Sequence, residues 1–84
     1  MGKKSRNHFG RWLVEFCKQH DLKEEDVINK FGKDSSRTIR LWFKGLGHPK
    51  STSYIMLNIT LARLTGQDEE SIYIESSRAI LRDA

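Results

Sequence analysis

Two short amphipathic segments joined by a glycine-containing turn limit the folds open to this chain. The first runs from Lys23 to Phe31 and carries Val27, Ile28 and Phe31 at helical spacing. The second, Asp34 to Gly45, gathers Ile39, Trp42 and Phe43 on its back and Ser35, Ser36, Arg37 and Arg40 on its front. Gly32 in the turn Phe31-Gly32-Lys33 is placed to end the first helix in a left-handed conformation. Asp34 or Ser35 can cap the second by accepting from its exposed backbone N–H groups.

The remaining chain adds three more helical segments. Phe9, Leu13, Phe16 and Cys17 recur at helical spacing, with Trp12 widening the stripe, so a helix is expected from about His8 to His20. Gly10 weakens its first turn. Glu24, Glu25 and Asp26 favour the positive end of the helix that follows. Pro49 makes Leu46 to Lys50 an irregular linker. Ser51, Thr52 or Ser53 then caps a helix from Tyr54 to Leu64, closed by Gly66. Its apolar residues Ile55, Met56, Leu57, Ile59, Leu61, Ala62 and Leu64 cover most of the circumference, which predicts the most buried element. Asp68 caps a last helix reaching about Arg82. The expectation is one all-α domain of five helices over 8–84, preceded by a flexible basic arm, 1–7.

At 84 residues the chain is just long enough to close one core without staples. Its single cysteine forms no internal disulfide, which suits a reducing compartment, and Cys17 reads as a small buried hydrophobe. No apolar run nears the roughly 18 residues of a membrane span, and no secretory h-region is visible. A cytoplasmic protein with no membrane partner is expected. Charge is uneven: residues 1–50 hold twelve Lys/Arg against six Asp/Glu, and 51–84 hold three against five. A basic front half suits a face turned toward phosphates, and a solvated surface with chance imbalance is the alternative. His8, His20, His48 and Cys17 lack metal-ligand spacing, and neither a nucleophilic triad nor a phosphate loop is present. No enzyme, metal or cofactor is expected.

A helix, a tight turn and a helix with a polar, basic front form the shape that enters a DNA major groove. The run Leu22 to Gly32, then Arg37-Thr38-Ile39-Arg40-Leu41-Trp42-Phe43-Lys44-Gly45, then Pro49 and a Leu/Ile-rich helix resembles the Cro/C1-type, lambda repressor-like helix-turn-helix family. The likeness covers roughly residues 9–66, and Thr-Ile-x-x-Trp-x-x-Gly is its strongest part. Ile28 stands where that family usually has a small residue, and Glu24 where it often has a phosphate-touching Gln. The turn is one residue longer than the commonest form, which leaves the register of contacts open by one.

The resemblance implies base contacts from Ser36, Arg37, Arg40 and Leu41. Arg37 can bond guanine O6 and N7 together, Arg40 reads a base or clamps a phosphate, and Leu41 packs on thymine methyls or joins the core. Lys33, Ser35, Lys44, His48 and Lys50 flank this helix as phosphate contacts, and Lys23, beside Glu24, stands in for the family's Gln. Lys3, Lys4 and Arg6 either wrap the duplex or are an ordinary terminus. Trp12, Trp42, Phe31 and Phe43 fit core packing better than base stacking. The fifth helix is more apolar than a small core requires, so Ile72, Tyr73, Ile80 and Leu81 are expected at a homodimer interface.

The function expected is a sequence-specific regulator of double-stranded DNA, a repressor acting as a homodimer on an inverted repeat, typical of phage or mobile elements. Alternatives are an antitoxin-like adaptor with a protein partner on the C-terminal helix, and an architectural recombination factor. RNA fits less well, because its narrow A-form major groove excludes a helix.

Overall fold

The computed structural model describes residues 6–84, so Lys3 and Lys4 of the expected arm lie outside the described residues. Five α-helices follow one another: α1 (His8–Gln19), α2 (Glu24–Phe31), α3 (Ser36–Lys44), α4 (Ser51–Thr65) and α5 (Glu69–Arg82). No strand occurs among the described residues, so the chain is all-α, as its periodicity requires.

Local chemistry sets most of the boundaries. The Asn7 side chain opens α1 by accepting from the Gly10 N–H at 2.7 Å. The Lys23 N–H donates to Asp26 Oδ2 at 2.8 Å, one half of a capping box that ties down the first turn of α2. Asp68 caps α5 as expected, accepting from Ser71 N–H at 3.2 Å.

Three boundaries differ from the sequence reading. Gly32 ends α2 at φ 138° and ψ 125°, a glycine-favouring conformation outside the left-handed helical region. Asp34 and Ser35 do not cap α3; they enter a 3₁₀ turn, Lys33–Ser35, in which Ser35 N–H donates to Gly32 C=O at 3.0 Å. The α4 helix starts at Ser51, three residues before Tyr54. Pro49 restricts only the residue before it, so Ser51, Thr52 and Ser53 become the first turn rather than its cap.

The core draws on every helix: Phe9, Leu13, Val27, Ile39, Leu57, Leu61 and Ile72 are all essentially buried. The α1 helix packs against both α3 and α5, α4 packs against α2 and α5, and α2 also meets α3. The expectation that α4 is the most buried element fails. Ile55 is 60% exposed and Met56 43%, whereas the polar Asn58 and Thr60 are buried. Those two side chains donate back to their own helix, to Tyr54 C=O and Met56 C=O, each at 2.8 Å. Burial there leaves no polar group unpaired. Tyr54 joins α4 to α5 through its hydroxyl, which meets Ser77 Oγ at 2.8 Å and also Ser76 Oγ.

Cys17 is buried beside Phe16, the place its spacing predicts. Burial, assisted by the negative charges of Asp26 and Glu24, pushes its thiol up to about 12. The thiolate is the reacting species. The folded protein should therefore resist an Ellman-type reagent at pH 8, with the thiol released only on unfolding. Rapid, stoichiometric labelling of the native fold would contradict this burial.

Candidate nucleic-acid interface

The α3 helix divides into two faces. Ile39, Trp42 and Phe43 are buried, while Arg37, Thr38, Arg40, Leu41 and Lys44 stand at the surface. Three of nine residues thus anchor the helix, and its outer stripe is free to meet a partner. Phe31 at the end of α2 packs edge-on against Trp42, with ring centroids 5.9 Å apart, and couples the two helices across the turn.

The far end of α3 is fixed with unusual closeness. Gly45 is left-handed at φ 75°; Gly45 N–H donates to Trp42 C=O and Leu46 N–H to Leu41 C=O, both at 3.0 Å. These are the two bonds of a Schellman ending. The segment before α1 crosses this same point. Asn7 N–H donates to Gly45 C=O at 3.2 Å, and Arg6 Nε donates to Phe43 C=O at 3.0 Å. A Cβ built on Gly10 would lie 2.4 Å from Gly45 Cα, and one on Gly45 would lie 2.6 Å from Arg6 Cα. Two glycines therefore permit α1, the chain leading into it and the end of α3 to touch backbone to backbone.

This geometry corrects the reading of Arg6. Its side chain supports the last carbonyls of α3, a favourable place for a cation, rather than belonging to a loose arm. His48 braces the fold as well: its Nε2 lies 2.8 Å from Asp83 Oδ2, and its ring rests 6.0 Å from that of Phe9.

Arg40 is only partly available. Its guanidinium donates to Glu25 Oε2 at 2.8 Å and to Glu24 Oε2 at 3.3 Å, bridging α3 to the first turn of α2. The hydrogen bond it donates to Glu25 leads in holding Arg40 in its charged form. One cation between two carboxylates leaves a local excess of negative charge. Arg37 has no carboxylate within 4.0 Å among the described residues, and it is fully at the surface. Leu41 is 41% exposed, Ser35 and Ser36 are half-buried, and Lys23, Lys33, Lys44 and Lys50 are exposed.

On α5, Ile72 is 1% exposed and sits inside the core, so it is withdrawn from the expected dimer surface. Ile80 is half-buried against that core. Tyr73 and Leu81 do stand out, at 53% and 71% exposed, and Ile74 joins them at 43%.

Asp83 is the residue that sequence reasoning missed. Its carboxylate accepts from His8 N–H at 2.8 Å, Phe9 N–H at 3.0 Å and His48 Nε2, which joins both ends of the described chain to the linker after α3. No local pattern marks a partner 75 residues away. Burial pushes the Asp83 carboxyl up, but the bonds from His48, His8 and Phe9 together hold it below the ordinary carboxylate value.

Among the described residues no group of His, Cys, Asp and Glu is arranged to hold a metal, and no helix is long and apolar enough to cross a membrane. Set against family models, curated proteins and solved structures, the chain matches none of them.

Proposed function

We propose that this protein is a sequence-specific, double-stranded DNA-binding regulator of the Cro/C1 type, working as a homodimer on an inverted repeat and repressing transcription by occupying a promoter. The observation that carries this reading is the division of α3, anchored by Ile39, Trp42 and Phe43 and offering Arg37, Leu41 and Lys44 to solvent. Arg37 is the principal base reader, since Arg40 is engaged by Glu24 and Glu25. Lys33, Lys44 and Lys50 supply phosphate contacts, which set affinity without reading sequence. Tyr73, Ile74 and Leu81 supply the dimer contact.

The test is selection from a pool of random duplexes at near-physiological salt. An enriched palindrome supports the proposal, with half-sites about one helical turn apart. Sequence-blind retention defeats it. On the selected site, Arg37→Ala should cost about 1–3 kcal/mol and relax preference at one base pair. Lys44→Ala should weaken all sequences alike and lower the salt slope by about one. Both are read by titration against matched and mismatched duplexes at several salt concentrations.

One observation favours a second reading, an adaptor with a protein partner. Ile55 on α4 and Tyr73 on α5 flank the same cleft and are both more than half exposed. A chain that stays monomeric and shows no selected sequence would turn attention to that surface.

A further inference from the structure

The groove between α1 and α5 contains no residue of α2 or α3 and has a chemistry of its own. Arg11, Trp12, Glu15, Glu75, Arg78 and Arg82 line it, and it is an open groove of about 500 Å³. Asp83 meets His8 while Glu75 meets Trp12, so the two helices run antiparallel and the groove has two distinct ends. Arg82 and His8 mark one end, with Arg11 and Arg78 next to them, and Glu15 and Glu75 mark the other.

Three arginines, Arg11, Arg78 and Arg82, line the groove toward its first end. None has a carboxylate within 4.0 Å among the described residues. Arg78 and Arg82 stand one helical turn apart, a like-charge spacing that destabilises a helix. Glu75, one turn before Arg78, and the C-terminal end of α5 offset part of that repulsion, and a bound anion would offset the rest. Guanidinium forks are the side-chain groups best matched to phosphate oxygens.

Trp12 lies in the middle of the groove. Its inner side packs on Phe9 and Phe16, with centroids 6.1 and 5.1 Å away, and the ring is half-buried rather than enclosed. Its indole N–H reaches toward Glu75 Oε1 at 3.4 Å. A flat indole flanked by arginines suits a base with a phosphate attached, because the flat face of a base stacks on an aromatic ring. Glu15 and Glu75 accept hydrogen bonds and offer none when ionised, so they favour a base bearing an exocyclic amino group. The volume falls within the ordinary range of small-ligand sites, about 300–1,000 Å³.

We propose that this groove binds a nucleotide with an amino-bearing base: phosphate on Arg11, Arg78 and Arg82, base against Trp12, amino group toward Glu15 and Glu75. The site is independent of α3, so it stands or falls separately from the DNA-binding reading.

Tryptophan fluorescence tests it directly, because Trp42 is only 3% exposed and Trp12 is the chain's other tryptophan. The full chain is titrated with AMP, CMP, UMP and inorganic phosphate. AMP and CMP should quench saturably, UMP should bind roughly tenfold more weakly, and inorganic phosphate should not quench, since it brings no base to stack. Arg78→Gln with Arg82→Gln should lower AMP affinity at least about tenfold at unchanged helicity, because glutamine is a good helix former and both sites are exposed. Absence of a saturable AMP quench, or a quench that survives the double substitution, overturns the site. Equal affinity for UMP and AMP overturns the role given to Glu15 and Glu75.

Discussion

Gly45→Ala is expected to destabilise the fold by about 3 kcal/mol. Two costs combine. A non-glycine residue in the left-handed region loses about 1–2 kcal/mol, and overpacking typically costs about 1–3 kcal/mol more. Neither has an easy escape, because the new methyl would meet Arg6 Cα at 2.6 Å, which is backbone and cannot swing aside. A domain of this length has only roughly 4–13 kcal/mol in total, so the variant should be visibly marginal. Gly10→Ala sharpens the case. In an open helix that change gains about 1 kcal/mol, yet here the methyl would sit 2.4 Å from Gly45 Cα, and the expected sign reverses. Urea unfolding of both variants provides the check. A loss below about 1 kcal/mol at Gly45 would mean that the chain leading into α1 is not held against the end of α3.

The second large effect is expected at Asp83. Asp83→Ala removes the acceptor for the first two N–H groups of α1 and for His48, and its carboxylate is 9% exposed. Hydrogen bonds to a charged acceptor contribute about 1.5–3 kcal/mol, and a lost helix cap about 1 kcal/mol, so a loss of about 2–3 kcal/mol is expected. The pH dependence has a definite sign. The folded-state carboxyl lies below its unfolded value of about 3.9, so its contribution is present in full above that value and fades as pH falls through the folded one. The stability gap between the native protein and Asp83→Ala should hold steady at mildly acidic pH and narrow below about pH 4. A gap that fails to narrow below about pH 4 would show that the carboxylate is not the stabilising form.

What the sequence reveals here follows how far each interaction reaches along the chain. The buried stripe of α1 and the cap at Asp68 are read within four residues, and both are seen. Ile39, Trp42 and Phe43 were assigned to the core on the same ground. The α4 helix shows where that logic stops. Seven apolar residues around a helix suggest complete burial, but which of them is covered depends on α2 and α5, and Ile55 and Met56 stay largely exposed. Ile72 illustrates the reverse case, since its apolar character is consumed by the monomer core. Arg40 with Glu24 and Glu25, Arg6 with Phe43 and Asp83 with His8 span 15 to 75 residues. Composition supplies such charges, and only the packed chain decides their partners.

The Asp83 bonds also bear on how the protein is made. The start of α1 leaves the ribosome well before α5, and the acceptor for its N–H groups is synthesised 75 residues after it. Until then α1 has Asn7 as its cap but lacks α5 as a packing partner, and helices of this length are marginal alone. The native arrangement is therefore completed only after residue 83 has emerged. Nascent chains stalled before α5 has emerged should be cleaved by protease faster than chains extended past residue 83.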